Sequence, residues 1–153
     1  MSKIFYMEWD GSFEEKSTWT MLLTMLVVYG WYFMQVTRSL SNAGGVVGNV
    51  DYRDIMLATV MLLVIILVVA HTAIGVLAPK EADLRDERDR QINRVGEYIG
   101  GYVAAGAALT GMGMAMYEQP HFWIANAILL GLVLSEVVSC TAKLILYRRG
   151  LQP

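Results

Sequence analysis

Four long apolar runs constrain this chain of 153 residues more than any other feature of its sequence. An α-helix rises about 1.5 Å per residue, so about 20 consecutive apolar residues are needed to cross the hydrocarbon core of a bilayer. Each run meets that length, and the sequence therefore predicts an all-α integral membrane protein folded as a four-helix bundle. The runs lie at residues 18–37, 55–78, 95–117 and 122–147.

The distribution of Lys and Arg predicts the orientation of the helices. Cytoplasmic loops of membrane proteins carry the excess of these residues whatever the net charge of the chain, which is −2 here. With four crossings, the N-terminus, the middle loop and the C-terminal end share one side, which holds ten of the twelve Lys and Arg. Arg38 and Arg53 fall on the other side. We therefore expect both termini inside, in a prokaryotic cytoplasmic membrane.

The segments outside the runs have different predicted roles. Residues 1–17 mix aromatic and charged side chains, which suits either an interfacial segment lying against the headgroups or a partly ordered tail. The first run is too long for the apolar part of a signal peptide, so we expect it to remain in the protein. Residues 38–54 are rich in Gly, Ser and Asn and predict an irregular connector. Residues 118–121 predict a tight turn that makes the third and fourth helices antiparallel neighbours.

The middle segment, residues 80–94, is dense in charges of both signs. Glu81 precedes Arg85, and Asp86 precedes Arg90, at the four-residue spacing of ion pairs along a helix. We therefore expect the third helix to begin near residue 84 and to extend into the cytoplasm, either as a docking surface or as a solvated face. Its acids balance its bases, which argues against nucleic-acid binding. The candidate docking residues are Asp86, Glu87, Arg88, Arg90 and Arg94.

These boundaries complete the predicted fold. A four-helix domain at residues 18–150 follows the N-terminal segment, and its helices span about 18–37, 54–78, 84–117 and 122–148.

The third helix repeats small residues every four positions. Such residues let two helix backbones approach closely in lipid, where van der Waals packing drives helix association. We predict that one row contacts the bundle and that the other contacts a second copy or another protein, with the lipid bilayer around the rest. The first row is Gly96, Gly100, Ala104 and Ala108, and the second is Ala107, Gly111 and Ala115.

A carboxylate inside the fourth apolar run is the strongest candidate for a functional group. Such a residue is costly in a membrane and usually faces a partner, a cavity or an ion path. Glu136 lies about 16 Å of helix from the inner end of its run and His71 about 12 Å from the inner end of its own, so they share the inner half of the membrane. Three roles are open: a carboxylate that joins helices, a proton-coupled site, or a partner contact. The predicted polar site comprises Glu136, His71, Ser139 and Lys143.

Metal, cofactor and catalytic sites have little support in the sequence. Methionines of the third helix and His121 are soft ligands that suit copper(I), but methionine is also an ordinary packing residue. His71 and His121 lie toward opposite surfaces and do not form a haem site within one chain. One cysteine, Cys140, forms no disulfide within the chain and has no metal-ligand spacing. We therefore predict no metal, no cofactor and no enzymatic activity.

The segment from Asp86 to Ile92, Asp-Glu-Arg-Asp-Arg-Gln-Ile, precedes a helix rich in Gly and Tyr. Pro120, Phe122-Trp123, Asn126 and the ending from Lys143 to Gly150 follow. In these features, over roughly residues 80–150, the chain resembles a family of uncharacterised small prokaryotic multi-pass membrane proteins. Its members often accompany small helix-turn-helix regulators. The resemblance implies the same topology and adds no catalytic residue.

Together these patterns favour a non-enzymatic membrane protein that acts by association with a partner, as a sensory, regulatory or accessory subunit. A possible homodimer and a membrane or cytoplasmic protein partner are both open. The alternative is a small proton-coupled transporter that uses Glu136 and His71.

Overall fold

The computed structural model of the chain describes residues 13–77 and 87–149. This part of the chain contains no strand, and three of its helices, α1, α3 and α4, are long and apolar enough to cross a membrane. The predictions of an all-helical chain and of membrane-spanning helices are confirmed to that extent. The helices are α1 (Phe13–Asn42), α2 (Arg53–Leu77), α3 (Glu87–Met116) and α4 (His121–Arg149), with a short 3-10 turn at Val47–Asn49.

The helices are joined by contacts in the order α2, α1, α4, α3. The contact between α3 and α4 is the most extensive, α1 packs on the other side of α4, and α2 packs on α1. Within the described ranges, α2 and α3 have no extensive contact with each other. A closed four-helix bundle is therefore not confirmed by this packing order.

Large apolar side chains cover much of the surface of this arrangement. On α2, for example, Leu57, Met61, Val68 and Val69 are all exposed. A soluble monomer rarely exposes so large a contiguous apolar surface, whereas hydrocarbon solvates it without cost. A buried apolar cluster lies instead among α1, α2 and α4, around Tyr32.

α1 ends at Asn42, five residues beyond its predicted end at residue 37. It stops where Gly44 and Gly45 adopt positive φ values of 63° and 82°. The Gly45 N–H donates to the Leu40 carbonyl (2.9 Å) and the Gly44 N–H to the Ser41 carbonyl (3.1 Å), which is the hydrogen-bond pattern of a Schellman cap. The polar residues after residue 37 remain helical because a left-handed conformation, and not polarity, ends this helix.

The turn between α3 and α4 has the same cap, but a non-glycine residue occupies its left-handed position. Glu118 has φ of 52°. Its N–H donates to the Ala115 carbonyl (3.0 Å), and the Gln119 N–H donates to the Met114 carbonyl (3.0 Å). This conformation costs an L-residue with a side chain about 1–2 kcal/mol, and glycine avoids that cost.

We expect Glu118→Gly to raise the free energy of unfolding by about 0.5–1 kcal/mol, because relief of the strain exceeds the extra chain entropy of glycine. The measurement is the thermal unfolding midpoint of the full chain in detergent. Gln119→Gly is the matched control, because Gln119 is not in the left-handed region and gains no relief. A lower midpoint for Glu118→Gly than for the unmodified chain would contradict this account of the turn.

Candidate functional site

The contact between α3 and α4 is close because glycines line it. A Cβ added to Gly100 would lie 2.9 Å from the Ser135 carbonyl oxygen, and one added to Gly111 would lie 2.5 Å from Ile128 Cγ1. A Cβ added to Gly131 would overlap the side chain of Ala107. At Gly100 and Gly131 the two backbones therefore approach closely enough that only glycine fits, whereas at Gly111 the neighbour is the flexible Ile128 side chain.

The predicted four-residue row on α3 divides between this contact and the surface. Gly96 and Gly100 face α4, whereas Ala108 is exposed. Four residues of helix turn about 400°, so such a row drifts about 40° at each step and about 120° by its fourth member. Two members of the second row, Ala107 and Gly111, continue the contact instead.

Two serines of α4 stand against Gly100. Ser135 Oγ donates to the Gly100 carbonyl oxygen at 2.8 Å, and the Ser139 Cβ would lie 2.9 Å from a Cβ on Gly100. Both serines are buried. Ser139 was a predicted site residue and Ser135 was not, although its position one turn before Ser139 was an available signal. The Ser135 hydroxyl therefore joins the two helices by a hydrogen bond, since little else in hydrocarbon satisfies it, and Ser139 packs against Gly100 beside it.

An ion pair joins the helices further along. Lys143 Nζ lies 3.7 Å from Glu97 Oε1. The Lys143 side chain passes over Gly96 and is only 14% exposed, whereas that of Glu97 is 73% exposed. Lys143 was a predicted site residue, but its partner proves to be Glu97 on α3. The pair contributes little to stability because the Glu97 side chain is largely exposed.

Glu136 lies on the same side of the α3–α4 hairpin as this ion pair. It precedes Lys143 by seven residues, which is two helical turns, so both share one face of α4. On α3, Glu97 is followed at intervals of four, three and four residues by Gly101, Ala104 and Ala108, which lie on the same face of the helix. The two faces adjoin because Glu97 and Lys143 are in contact. We call the surface formed by Gly101, Ala104, Ala108 and Glu136 the lateral face.

The lateral face is open in the described part of the chain. Glu136 is half-buried and forms no hydrogen bond or salt bridge with a described residue. A Cβ added to Gly101 would meet nothing within 4 Å. Ala108 is exposed and Ala104 is half-buried. The face therefore combines small side chains, free space and an unpaired carboxylate.

His71 is not brought to Glu136 by any described contact. It lies on α2, and its side chain is outside the described residues. α2 packs on α1, and no extensive contact joins α2 to α4 in the described ranges. The proposed pairing of His71 with Glu136 therefore stays a prediction.

A buried hydrogen bond joins α1 to α4. Tyr32 Oη donates to Asn126 Oδ1 at 2.9 Å, and Asn126 Nδ2 donates to the Phe122 carbonyl at 2.8 Å. The Tyr32 side chain is fully buried. Sequence reasoning missed this pair, although an asparagine inside an apolar run was a signal that a polar partner is required.

The start of α3 carries the candidate docking residues. Asp86 lies outside the described residues. Arg88 Nη2 donates to the Tyr147 carbonyl at 3.2 Å, near the C-terminus of α4, where a positive charge is favourable. Ile92 is fully buried, so this part of α3 rests on the rest of the protein. The remaining candidates are all exposed: Glu87, Arg90 and Arg94.

A cleft lies at the other end of α4, between the segment that precedes α2 and the turn that precedes α4. Its volume is about 420 Å³, and residues 47–53 and 120–122 line it. Tyr52 and Phe122 join its two sides through an edge-to-face ring contact with centroids 5.2 Å apart. We call it the loop cleft. A second, apolar groove of about 380 Å³ lies beside Trp31 and the first turns of α2. In the described part of the chain, no group of three or more His, Cys, Asp or Glu residues is arranged to hold a metal ion.

Comparison with known proteins assigns the chain to no family. No protein-family model, curated protein or solved structure matches the chain. The resemblance to an uncharacterised prokaryotic membrane family therefore stays an expectation based on residues 80–150.

Proposed function

We propose that this chain is a non-enzymatic multi-pass membrane protein that acts by association with a partner, as a sensory, regulatory or accessory subunit. The observation that carries the proposal is the open lateral face. Small residues favour the close approach of a second helix in lipid, and an intramembrane carboxylate favours a polar contact within protein. Both features lie side by side on a surface that the described chain leaves uncovered.

The cost of Glu136 supports a partner at this face. An acidic side chain near the centre of a membrane costs about 2.5–3.5 kcal/mol, and a hydrogen-bond donor on a neighbouring helix offsets part of that cost. Gly101, Ala104 and Ala108 leave room for such a helix beside the carboxylate. Lipid fills the same space but offers no donor at this depth.

The membrane arrangement belongs to the same proposal. All four helices cross, because α2 also has 25 residues and contains no Asp, Glu, Lys or Arg after Asp54. Both termini lie in the cytoplasm with the excess of Lys and Arg. α3 has 30 residues, about ten more than a crossing needs, so its start extends about 15 Å into the cytoplasm. The Glu97–Lys143 pair then lies near the inner boundary.

The cytoplasmic start of α3 is a second contact surface in this proposal. Glu87, Arg90 and Arg94 are exposed in the described chain, whereas Arg88 bonds to the end of α4. A cytoplasmic partner with complementary charges therefore meets Arg90 and Arg94 first.

The alternative, a small proton-coupled transporter that uses Glu136 and His71, has support from the same unpaired carboxylate. Transport also needs a cavity that brings water or substrate to that carboxylate. Glu136 lines neither the loop cleft nor the groove beside Trp31. The small residues beside Glu136 favour association over transport.

Flux measurements separate the two functions. The unmodified chain, reconstituted into vesicles with a pH-sensitive dye inside, is expected to give no proton-coupled flux for any class of solute tested. Glu136→Gln is the informative variant, and Glu97→Gln, which removes an exposed carboxylate, is its control. Flux that is present in the unmodified chain and in Glu97→Gln but lost in Glu136→Gln would establish the transporter and overturn the proposal.

A further inference from the structure

We propose that the loop cleft binds a group that carries both a phosphate and an ammonium, such as the phosphoethanolamine headgroup of a zwitterionic phospholipid. This inference does not depend on the proposed association. It rests on the shape of the cleft, on the charges that line it and on its place at one end of α4.

The cleft has the size of a small-ligand site. Its volume of about 420 Å³ falls within the range of about 300–1,000 Å³ that is usual for such sites. Charges of both signs line it, those of Asp51 and Arg53, and the imidazole of His121 lines it as well. Asn49 adds an amide that can donate or accept a hydrogen bond. A ligand with a single charge leaves one of these groups unused.

The phosphate fits on the side formed by Arg53 and His121. A guanidinium presents several donors to phosphate oxygens, and an imidazole adds one more. The first N–H groups of α4, those of His121 and Phe122, have no acceptor among the described residues, and α4 has no acidic residue in its first turn. They add to the donors supplied by the two side chains.

The ammonium fits at Asp51. This carboxylate lines the cleft, is exposed, and forms no salt bridge with a described residue. An ammonium donates up to three hydrogen bonds to such an acceptor, whereas the quaternary amine of choline donates none. Asp51 and Arg53 are two residues apart in the chain, so the cleft presents both charges to one ligand.

The position of the cleft favours a lipid as the source of this group. The first residues of α2 and α4, Arg53 and His121, line it, so it lies where the apolar part of both helices begins. Headgroups of a bilayer occupy that level when α4 crosses the membrane. The exposed indole of Trp123 also suits the membrane boundary. A soluble phosphoethanolamine carries the same chemistry, and the experiment distinguishes the two sources.

The test is lipid retention by the full chain, measured by native mass spectrometry after delipidation and titration with single lipids. Phosphatidylethanolamine is expected to bind about tenfold more tightly than phosphatidylcholine or phosphatidylglycerol, and Arg53→Gln is expected to weaken its binding about tenfold. Asp51→Asn is expected to remove the preference for ethanolamine over choline. Arg38→Gln is the control, because Arg38 is an exposed arginine at the end of α1 that does not line the cleft.

Each outcome is decisive. Equal retention of the three lipids, or equal losses in Arg53→Gln and Arg38→Gln, would overturn the proposal. Titration with O-phosphoethanolamine in lipid-free detergent identifies the source. If this soluble compound binds with the same affinity as the lipid, and if its binding depends on Arg53, the site binds phosphate and ammonium and its ligand is a solute. Binding that is confined to the lipid supports the headgroup.

Discussion

Gly100→Ala and Gly131→Ala are each expected to lower the free energy of unfolding by about 1–3 kcal/mol, because they force α3 and α4 apart. A Cβ on Gly100 would lie 2.9 Å from both the Ser135 carbonyl oxygen and Ser139 Cβ. A Cβ on Gly131 would overlap Ala107 and lie 3.2 Å from its Cα. These neighbours are backbone and Cβ atoms, which cannot rotate away. The measurement is the thermal unfolding midpoint in detergent.

Gly106→Ala is the matched control for both substitutions. It makes the same change in α3, but a Cβ at Gly106 would meet nothing within 4 Å. Alanine also favours a helix over glycine, so this variant is expected to unfold at the same temperature or higher. Gly111→Ala is expected to fall between, because the end of the Ile128 side chain can move. Equal midpoints for Gly100→Ala, Gly131→Ala and Gly106→Ala would contradict the close contact of α3 with α4.

Gly101→Leu is expected to reduce the recovered complex about tenfold or more without destabilising the chain itself. Gly101 belongs to the lateral face, where the proposed partner helix comes close, and the added side chain overpacks that contact by about 1–3 kcal/mol. Within the described chain a Cβ at this position has free space. The measurement is the amount of partner that stays with the protein after extraction in mild detergent, with the unfolding midpoint recorded alongside.

Gly106→Leu controls for the size of the side chain. Gly106 also has free space around it, but it lies about 140° from Gly101 around the same helix. It is expected to keep the complex. Loss of the complex in both variants, or in neither, would show that the partner does not bind at the lateral face. The cytoplasmic start of α3 would then be the remaining contact surface.

The sequence predicted the helices better than their contacts, and the difference has a physical cause. Length and apolarity are properties of one segment, so an all-helical chain with helices long enough to cross a membrane was predicted correctly. The end of α1 depends on the backbone conformation of Gly44 and Gly45, and the polarity of the surrounding residues does not predict that conformation. Tyr32 and Asn126 are 94 residues apart, and only the packing of α1 on α4 brings them together.

The candidate site shows the same limit. Glu136 stands out because a carboxylate in an apolar run is costly wherever its helix packs. Lys143 pairs with Glu97 because the packing of α3 against α4 places the two residues at the same depth. The sequence of either helix alone does not determine how the two helices are aligned. Residues spaced by four also turn gradually around α3, so Gly96 lies in the contact with α4 whereas Ala108 lies on the surface.

The lateral face and the loop cleft lie at different depths of α4 and involve different residues. Glu136 is 15 residues from His121, or about 22 Å along the helix. Variants at Gly101 are therefore expected to leave lipid retention unchanged, and variants at Arg53 are expected to leave the complex intact. The two proposals consequently fail or hold independently.

The most direct measurement of the association is photo-crosslinking in native membranes from a photoreactive residue at position 108. We expect discrete protein adducts from this position, and we expect Gly101→Leu to remove them. The same residue at position 130, an exposed site on α4 outside the lateral face, is predicted to give none. Discrete adducts that are identical from both positions, or no protein adduct from position 108, would contradict the claim that the chain acts through its lateral face.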